Sequence, residues 1–159
     1  MVLKAWVKTA GPKGEQEVPL EKLYMLPIEK RRKTTILKRG EFITAIQVPI
    51  SEERERGIFL KSTERKAWSS ALASVALQLR FEDDQVAEGR IALGGVAPIP
   101  WRAKEAEKIL RHQKPSEALI QKVGQAAVSG ATPMQDNAYK IQLVRDLVMK
   151  ALIRLSTSG

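Results

Sequence analysis

Few side chains in this sequence could carry chemistry of their own. The chain has no cysteine and a single histidine, His112, which excludes disulfides, thiolate metal sites, cysteine-ligated iron–sulfur clusters and histidine-based metal clusters. No pair of carboxylates, Walker-type phosphate loop or metal motif stands at a recognisable spacing. His112 follows Lys108 and Arg111 near the predicted end of a helix, where an imidazolium group would suit the helix dipole. We therefore interpret His112 as a surface residue.

Positive charge is the most prominent chemical feature of the chain. Lysine and arginine number 27 against 18 acidic residues, a net charge of +9, and residues 1–40 hold ten basic residues against four glutamates. The densest group lies in the segment 30–39 and comprises Lys30, Arg31, Arg32, Lys33, Lys38 and Arg39. This basic segment could meet phosphate, nucleic acid or an acidic protein surface, or could simply be solvated. Nucleic acid is disfavoured, because tryptophan and tyrosine are few and no reader motif is present.

Gly94 and Gly95 are the adjacent glycines that could approach an anion through their backbone amides. They stand at the end of a predicted strand and do not precede a helix. Glycines in that position more often mark a bulge or tight packing. A structural turn is therefore the favoured interpretation, and phosphate binding is the alternative.

Predicted strands occupy the first two thirds of the chain. A strand is expected from Val2, with apolar residues mixed among lysines, to a turn at Gly11, Pro12 and Gly14, and another at 42–48, where apolar and polar residues alternate before a proline. The short apolar run 58–60 predicts a third. Residues 71–81 and 86–96 flank an acidic turn and predict a hairpin.

Helical periodicity replaces this pattern beyond residue 100. The first predicted helix places Ala103, Ala106, Ile109 and Leu110 on one face. Ser116 is suited to cap the second, and Asp136 or Asn137 to cap the third, in which apolar residues recur at three and four positions from 141 to 155. Strands followed by helices favour an α+β fold.

The N-terminal segment 1–10 alternates apolar residues with Lys4 and Lys8 and lacks the continuous apolar stretch of a signal peptide. No apolar run in the sequence approaches membrane-spanning length. The cytoplasm is therefore the expected location, with no membrane association.

Three stretches in order resemble the C-terminal part of the FAD subunit of the molybdenum hydroxylases, the family of xanthine dehydrogenase, aldehyde oxidase and carbon monoxide dehydrogenase. The first comprises Gly40-Glu41-Phe42-Ile43, Ile46-Gln47-Val48-Pro49, Phe59-Leu60-Lys61 and Arg65. The second, and most specific, runs from Ile91-Ala92-Leu93-Gly94-Gly95-Val96-Ala97-Pro98 through Pro100, Arg102, Ala103, Glu105, Ala106 and Glu107. The third is Asp136 to Ala151, with lysine at 140 where the family more often has arginine.

The resemblance implies a small antiparallel sheet packed against three helices over residues 56–159, preceded by remnant strands of the flavin domain over residues 1–55. It implies that Lys61 reaches the flavin and that Ile43 packs against it, although a surface lysine and a core isoleucine are the alternatives. It also implies that Arg65 and Arg102 pair with carboxylates of the domain or of a partner subunit, and that Trp68 has a packing role. Ser69 stands in a segment where many members have aspartate.

The family holds the FAD pyrophosphate in two glycine-rich loops upstream of these stretches, and this sequence contains neither. The resemblance therefore implies that FAD is bound only when an N-terminal flavin-binding half is supplied. It further implies iron–sulfur and molybdenum subunits as partners, with electrons passing from the iron–sulfur clusters through FAD to NAD or another acceptor. The alternative is a non-catalytic subunit-docking module that has lost flavin binding.

Overall fold

The computed structural model describes residues 1–50, 54–65 and 69–157. Within it the chain forms two compact units, Met1–Ser51 and Glu52–Gly159. Trp68, which the sequence analysis assigns to packing, lies outside the described residues.

The first unit is a three-stranded antiparallel sheet with a short helix. Its elements are β1 (Trp6–Gly11), β2 (Gly14–Pro19), α1 (Leu20–Leu23) and β3 (Phe42–Gln47), and the strands lie in the order β2-β1-β3. Ala5, Val7 and Leu23 form its small buried core.

The predicted start of the first strand is wrong. We expected it from residue 2, but β1 begins at Trp6. Lys4 has a φ of 53°, in the left-handed region, which interrupts an extended backbone. Once formed, β1 is held to β2 partly by an ion pair across the strands, 2.8 Å between Lys8 Nζ and Glu17 Oε1. The hydrogen bond and charge of Glu17 raise the pKa of Lys8 above its ordinary value.

The second unit contains a four-stranded antiparallel sheet. Its strands are β4 (Glu55–Thr63), β5 (Ala71–Glu82), β6 (Gln85–Gly94) and β7 (Trp101–Arg102), in that order across the sheet. The predicted hairpin is confirmed as β5–β6. Its turn consists of Asp83 and Asp84 with φ of 47° and 63°, and aspartate tolerates this left-handed conformation better than most residues. β4 extends well beyond the predicted apolar run 58–60, because polar and apolar side chains alternate on its two faces.

Three helices cover one face of this sheet. They are α2 (Lys104–Leu110), α3 (Glu117–Ala127) and α4 (Tyr139–Thr157). One continuous core joins them to the strands, and it includes Val75, Leu77, Leu79, Ile91 and Leu93 from β5 and β6 and Leu110, Val123, Val148 and Leu152 from the helices. The predicted α+β class, a small antiparallel sheet against three helices, is thereby confirmed.

The helix ends show which capping predictions hold. Ser116 caps α3 as predicted, because its Oγ accepts a hydrogen bond from the Leu119 N–H at 3.2 Å. The prediction that Asp136 or Asn137 caps α4 is wrong, since neither side chain accepts a hydrogen bond from the first turn of the helix. Asn137 Oδ1 accepts from the Met134 N–H at 2.7 Å, upstream of the helix, and α4 begins only at Tyr139. His112 is exposed just beyond α2, with a φ of 58° and its N–H bonded to the Val86 carbonyl.

Among residues 1–50, 54–65 and 69–157, no helix is both long enough and apolar enough to cross a membrane.

Candidate functional site

Lys61 lies on β4, on the face of the sheet that the helices do not cover. Ile58 and Leu60 of this strand pack against the helix-covered core. Because side chains alternate along a strand, Phe59 and Lys61 point to the opposite face. Both are exposed, with 62% of Phe59 accessible to solvent. An aromatic ring and an ammonium group thus stand side by side on a solvent-facing surface.

Strand register places small residues next to these two side chains. Lys61 is opposite Ser74, which is opposite Gly94, and Phe59 is opposite Ala76, which is opposite Ala92. Ser74, Ala76, Ala92 and Gly94 therefore share the helix-free face with Phe59 and Lys61, and we call these four residues the small-residue floor. Their short side chains leave the backbone of β5 and β6 close to the surface. A flat group could lie on this floor with Phe59 and Lys61 along one side.

The ammonium group of Lys61 is available for an external partner. No hydrogen bond or ion pair engages its Nζ within the ranges 1–50, 54–65 and 69–157. A cation without a local counter-ion attracts negative charge that develops beside it.

Close packing against β5 explains the two glycines at the end of β6. A Cβ atom on Gly94 would lie 2.5 Å from Ser74 Oγ, and one on Gly95 would lie 2.8 Å from the Leu72 carbonyl oxygen. Gly95 also has a φ of +74°, which favours glycine. Its carbonyl accepts a hydrogen bond from Lys140 Nζ at 2.9 Å. These contacts support the interpretation of the pair as a structural turn.

Ile43 lies on β3 in the first unit. It is opposite Thr9 on β1, and Ile46 is opposite Val7. Val7 is completely buried, whereas Ile43 is 42% exposed. The structure therefore does not place Ile43 in the core, although it shares a face with core residues. Ile43 and Lys61 belong to different units of the chain.

Arg102 pairs within its own unit. Its Nε and Nη2 both donate to the carboxylate of Glu107 at 2.6 Å, and Glu107 Oε1 also accepts from the Ile91 N–H at 2.8 Å. The predicted carboxylate partner of Arg102 is thus a residue five positions along the chain. Arg65 is exposed, and the Ser69 hydroxyl donates to the Ser70 carbonyl.

The basic segment 30–39 lies on the surface. All six of its lysines and arginines are exposed. Lys33 Nζ donates to the Leu37 carbonyl at 3.4 Å, and the Lys38 N–H donates to Glu41 Oε2 at 2.8 Å. The part of the chain that the structure describes contains no group of histidine, aspartate and glutamate residues suited to hold a metal ion.

A separate cleft in the second unit lies between the end of β6 and the loop that joins α3 to α4. Leu93, Trp101, Val144, Asn137 and Lys140 are among the residues that line it, and Lys61 is not. Since Lys140 already donates to the Gly95 carbonyl beside this cleft, its amine links the start of α4 to the turn after β6.

Sequence reasoning missed Phe59 and the small-residue floor. The signal was present, because alanine, serine or glycine occupies two alternate positions on β5, 74 and 76, and two on β6, 92 and 94. Only the register shows that these positions adjoin Lys61.

The chain is similar to flavoprotein sequences. Residues 58–155 match the family model described as the CO dehydrogenase flavoprotein C-terminal domain. The glyceraldehyde dehydrogenase medium chain of Sulfolobus acidocaldarius is 32% identical over 122 residues, covering 74% of this chain and 43% of the relative. The aldehyde oxidoreductase FAD-binding subunit of Escherichia coli is 30% identical over 152 residues, covering 95% of this chain and 44% of the relative. The chain thus spans less than half the length of these two proteins.

Solved structures share the fold. Carbon monoxide dehydrogenase from Hydrogenophaga pseudoflava superimposes with a TM-score of 0.86 at 26% identity, covering 96% of this chain and 52% of that one. Carbon monoxide dehydrogenase from Oligotropha carboxidovorans gives 0.86 at 22% identity, covering 99% and 55%, and supports the fold alone.

Proposed function

We propose that this chain, which belongs to the family of CO dehydrogenase flavoprotein C-terminal domains, forms one wall of a flavin pocket. Family membership identifies it as the C-terminal portion of the FAD subunit of a molybdenum hydroxylase. In this proposal residues 56–159 supply Lys61, and residues 1–55 are the end of the FAD-binding domain and supply Ile43. The FAD phosphates are held by another half of the subunit, because this sequence contains no glycine-rich phosphate loop.

The helix-free face of the second unit is the observation that carries the proposal. The small-residue floor can accept a planar ring at close range, since its side chains extend little above the backbone. Phe59 adds an exposed aromatic surface beside it, and Lys61 adds a positive charge at the edge. The residues present therefore fit the ring portion of FAD.

Each residue has a separate task in this pocket. The floor and Phe59 bind the flat face of the ring and exclude water from it. Lys61 orients a polar edge by hydrogen bonding and favours negative charge there. Ile43 packs against the ring. Bound FAD itself supplies the electron-transfer chemistry, and the protein positions it and adjusts its electronics.

The proposal also includes partner subunits that deliver electrons to the flavin. Iron–sulfur clusters in a partner subunit, reduced at a molybdenum cofactor in another, would deliver electrons to this pocket, and NAD or another acceptor would receive them. The similar proteins support such an assembly, because they include a FAD-binding subunit, a medium chain and a carbon monoxide dehydrogenase that lacks the Mo-pyranopterin moiety of its molybdenum cofactor. A cytoplasmic location is part of the same proposal, and cell fractionation tests it.

Flavin uptake in a reconstituted subunit tests the proposal. The chain is mixed with the polypeptide of the same genome that carries the two glycine-rich loops, and FAD absorbance and fluorescence quenching are measured. We expect FAD to be retained by the pair and to be bound less tightly in Lys61→Ala. Lys150→Ala is the matched control, because Lys150 is an exposed lysine on α4. If no pairing retains FAD, the proposal fails and the non-catalytic docking module becomes the better account.

A further inference from the structure

The cleft between the turn after β6 and the loop that joins α3 to α4 reaches the core of the second unit. It has a volume of about 240 Å³, and we call it the loop cleft. Leu93, Ala127 and Val144 line it, and these core residues are only 3%, 6% and 4% exposed. Apolar cavities of about 150 Å³ accept benzene. The loop cleft therefore has room for one aromatic ring with a short substituent.

Trp101 contributes an aromatic wall to the loop cleft. It is opposite Leu93 in the pairing of β7 with β6, so its side chain lies on the helix-covered face of the sheet. Leu93 is 3% exposed, whereas Trp101 is 43% exposed. Val96, in the turn after β6, also lines the cleft and is 37% exposed. An apolar ring bound here would remove surface of both side chains from water, which favours binding.

Hydrogen bonds hold both walls of the loop cleft in place without a ligand. In the loop before α4, Asn137 Oδ1 accepts from the Met134 N–H at 2.7 Å. Lys140 Nζ donates to the Gly95 carbonyl at 2.9 Å and so connects this wall to the turn after β6. A cleft that is already formed in the free protein binds a ligand with little loss of entropy from ordering its loops.

Lys140 and Asn137 supply hydrogen-bond donors to the loop cleft. Among the described residues that line it, Lys140 alone has a charged side chain, and none is an aspartate or glutamate. Its ammonium group has three N–H donors, of which one bonds to the Gly95 carbonyl. The amide oxygen of Asn137 accepts from the Met134 N–H, so its NH₂ group can donate to a ligand. A carboxylate, which only accepts hydrogen bonds, complements these donors.

We propose that the loop cleft binds a small aromatic carboxylate, with the ring against Trp101 and Val96 and the carboxylate at Lys140. This site is separate from the proposed flavin wall. Leu93 lines the cleft, whereas its neighbour Gly94 belongs to the small-residue floor on the opposite face of the sheet. The inference therefore does not depend on flavin binding and can be tested on the chain alone.

Titration of the chain with three probes, followed by NMR of its backbone amides, tests the proposal. The probes are benzoate, its neutral analogue benzamide, and acetate, which has the carboxylate without the ring. We expect benzoate to shift the signals of residues 93–97 and 128–141 with a dissociation constant of about 1 mM or below. Benzamide and acetate should bind roughly tenfold more weakly, because each lacks one of the two complementary groups.

Two variants separate the charge of the site from its volume. Lys140→Met removes the charge at similar side-chain length and should weaken benzoate binding about tenfold while leaving benzamide binding unchanged. Ala131→Phe, at an exposed alanine that lines the cleft, should block both probes while leaving the lysine in place. Lys150→Met, at an exposed lysine of α4 outside the cleft, is the control and should bind benzoate normally. Thermal unfolding checks that each variant folds.

Three outcomes overturn the inference. The first is benzamide or acetate binding as tightly as benzoate. The second is benzoate binding that persists in Ala131→Phe, a variant that remains informative if Lys140→Met does not fold. The third is the absence of saturable shifts around the cleft, including shifts confined to the basic segment 30–39, which would show non-specific attraction of an anion.

Discussion

The guanidinium of Arg102 and the carboxylate of Glu107 form a two-point ion pair in the second unit, with both donor–acceptor distances at 2.6 Å. The two side chains are only 10% and 13% exposed. Glu107 also accepts a hydrogen bond from the Ile91 backbone. One carboxylate thus connects the start of α2 to both β6 and β7, and it fixes the helix against the sheet edge.

Replacing Glu107 with glutamine should destabilise the second unit. Removing one partner of a nearly buried ion pair leaves the other charge uncompensated, which costs about 3 kcal/mol. Urea unfolding monitored by circular dichroism measures the loss. Glu105→Gln on the same helix is the control, because its ion pair with Lys108 is exposed at 65% and 69% and such pairs contribute about 1 kcal/mol or less. Equal losses in the two variants would show that the Arg102–Glu107 pair does not anchor α2.

Replacing Lys61 with glutamine should lower the reduction potential of flavin in the reconstituted subunit. A nearby cation favours the more negative reduced form, and losing a charged hydrogen bond of about 1.5 kcal/mol corresponds to about 30 mV for a two-electron couple. Dye-equilibration titration measures the potential. Lys61→Arg keeps the charge and should restore most of the shift. If glutamine and arginine give the same potential, the charge of Lys61 does not act on the flavin.

Replacing Gly95 with alanine should lower the free energy of unfolding more than the same change at Gly130 does. Both glycines have a left-handed φ, +74° and +79°, so both variants carry backbone strain of about 1 kcal/mol. Only at Gly95 does a Cβ approach a backbone atom, 2.8 Å from the Leu72 carbonyl oxygen, whereas nothing lies within 4 Å at Gly130. We expect Gly95→Ala to lower the free energy of unfolding by about 1 to 2 kcal/mol more than Gly130→Ala does. Chemical unfolding of both variants measures the difference. Indistinguishable losses would argue against the close approach of β5.

A larger side chain at position 124 should destabilise the second unit, because α4 lies close to Gly124. A Cβ at this position in α3 would lie 2.7 Å from Met149 Cγ. Gly124→Val should therefore destabilise the unit by about 2 kcal/mol through overpacking. Met149→Ala should recover part of this loss in the double variant, and unfolding of the four proteins of the cycle measures the coupling. If the losses of unfolding free energy in the two single variants simply add in the double variant, Met149 is not in contact with residue 124.

Local chemistry made much of this fold predictable from sequence. Ser116 caps α3 as expected, since a cap depends on residues within one turn. Asp83 and Asp84 form the turn of the predicted hairpin, because aspartate accepts a left-handed backbone. A glycine inside a helix is unfavourable by propensity alone, and the reason for Gly124 in α3 appears only where α4 packs beside it. The start of β1 was also missed, because periodicity does not show that Lys4 adopts a positive φ.

The amino-acid sequence by itself determined that strands come first and three helices last, which kinds of reactive side chain the chain lacks, and the resemblance that names Lys61 and Ile43. Only tertiary structure decided that Lys61 stands beside Phe59 on a floor of small residues, and that Arg102 pairs with Glu107. The reason is strand register, which joins residues far apart in the chain. A slip of one residue would turn Lys61 towards the helices and Leu60 towards solvent.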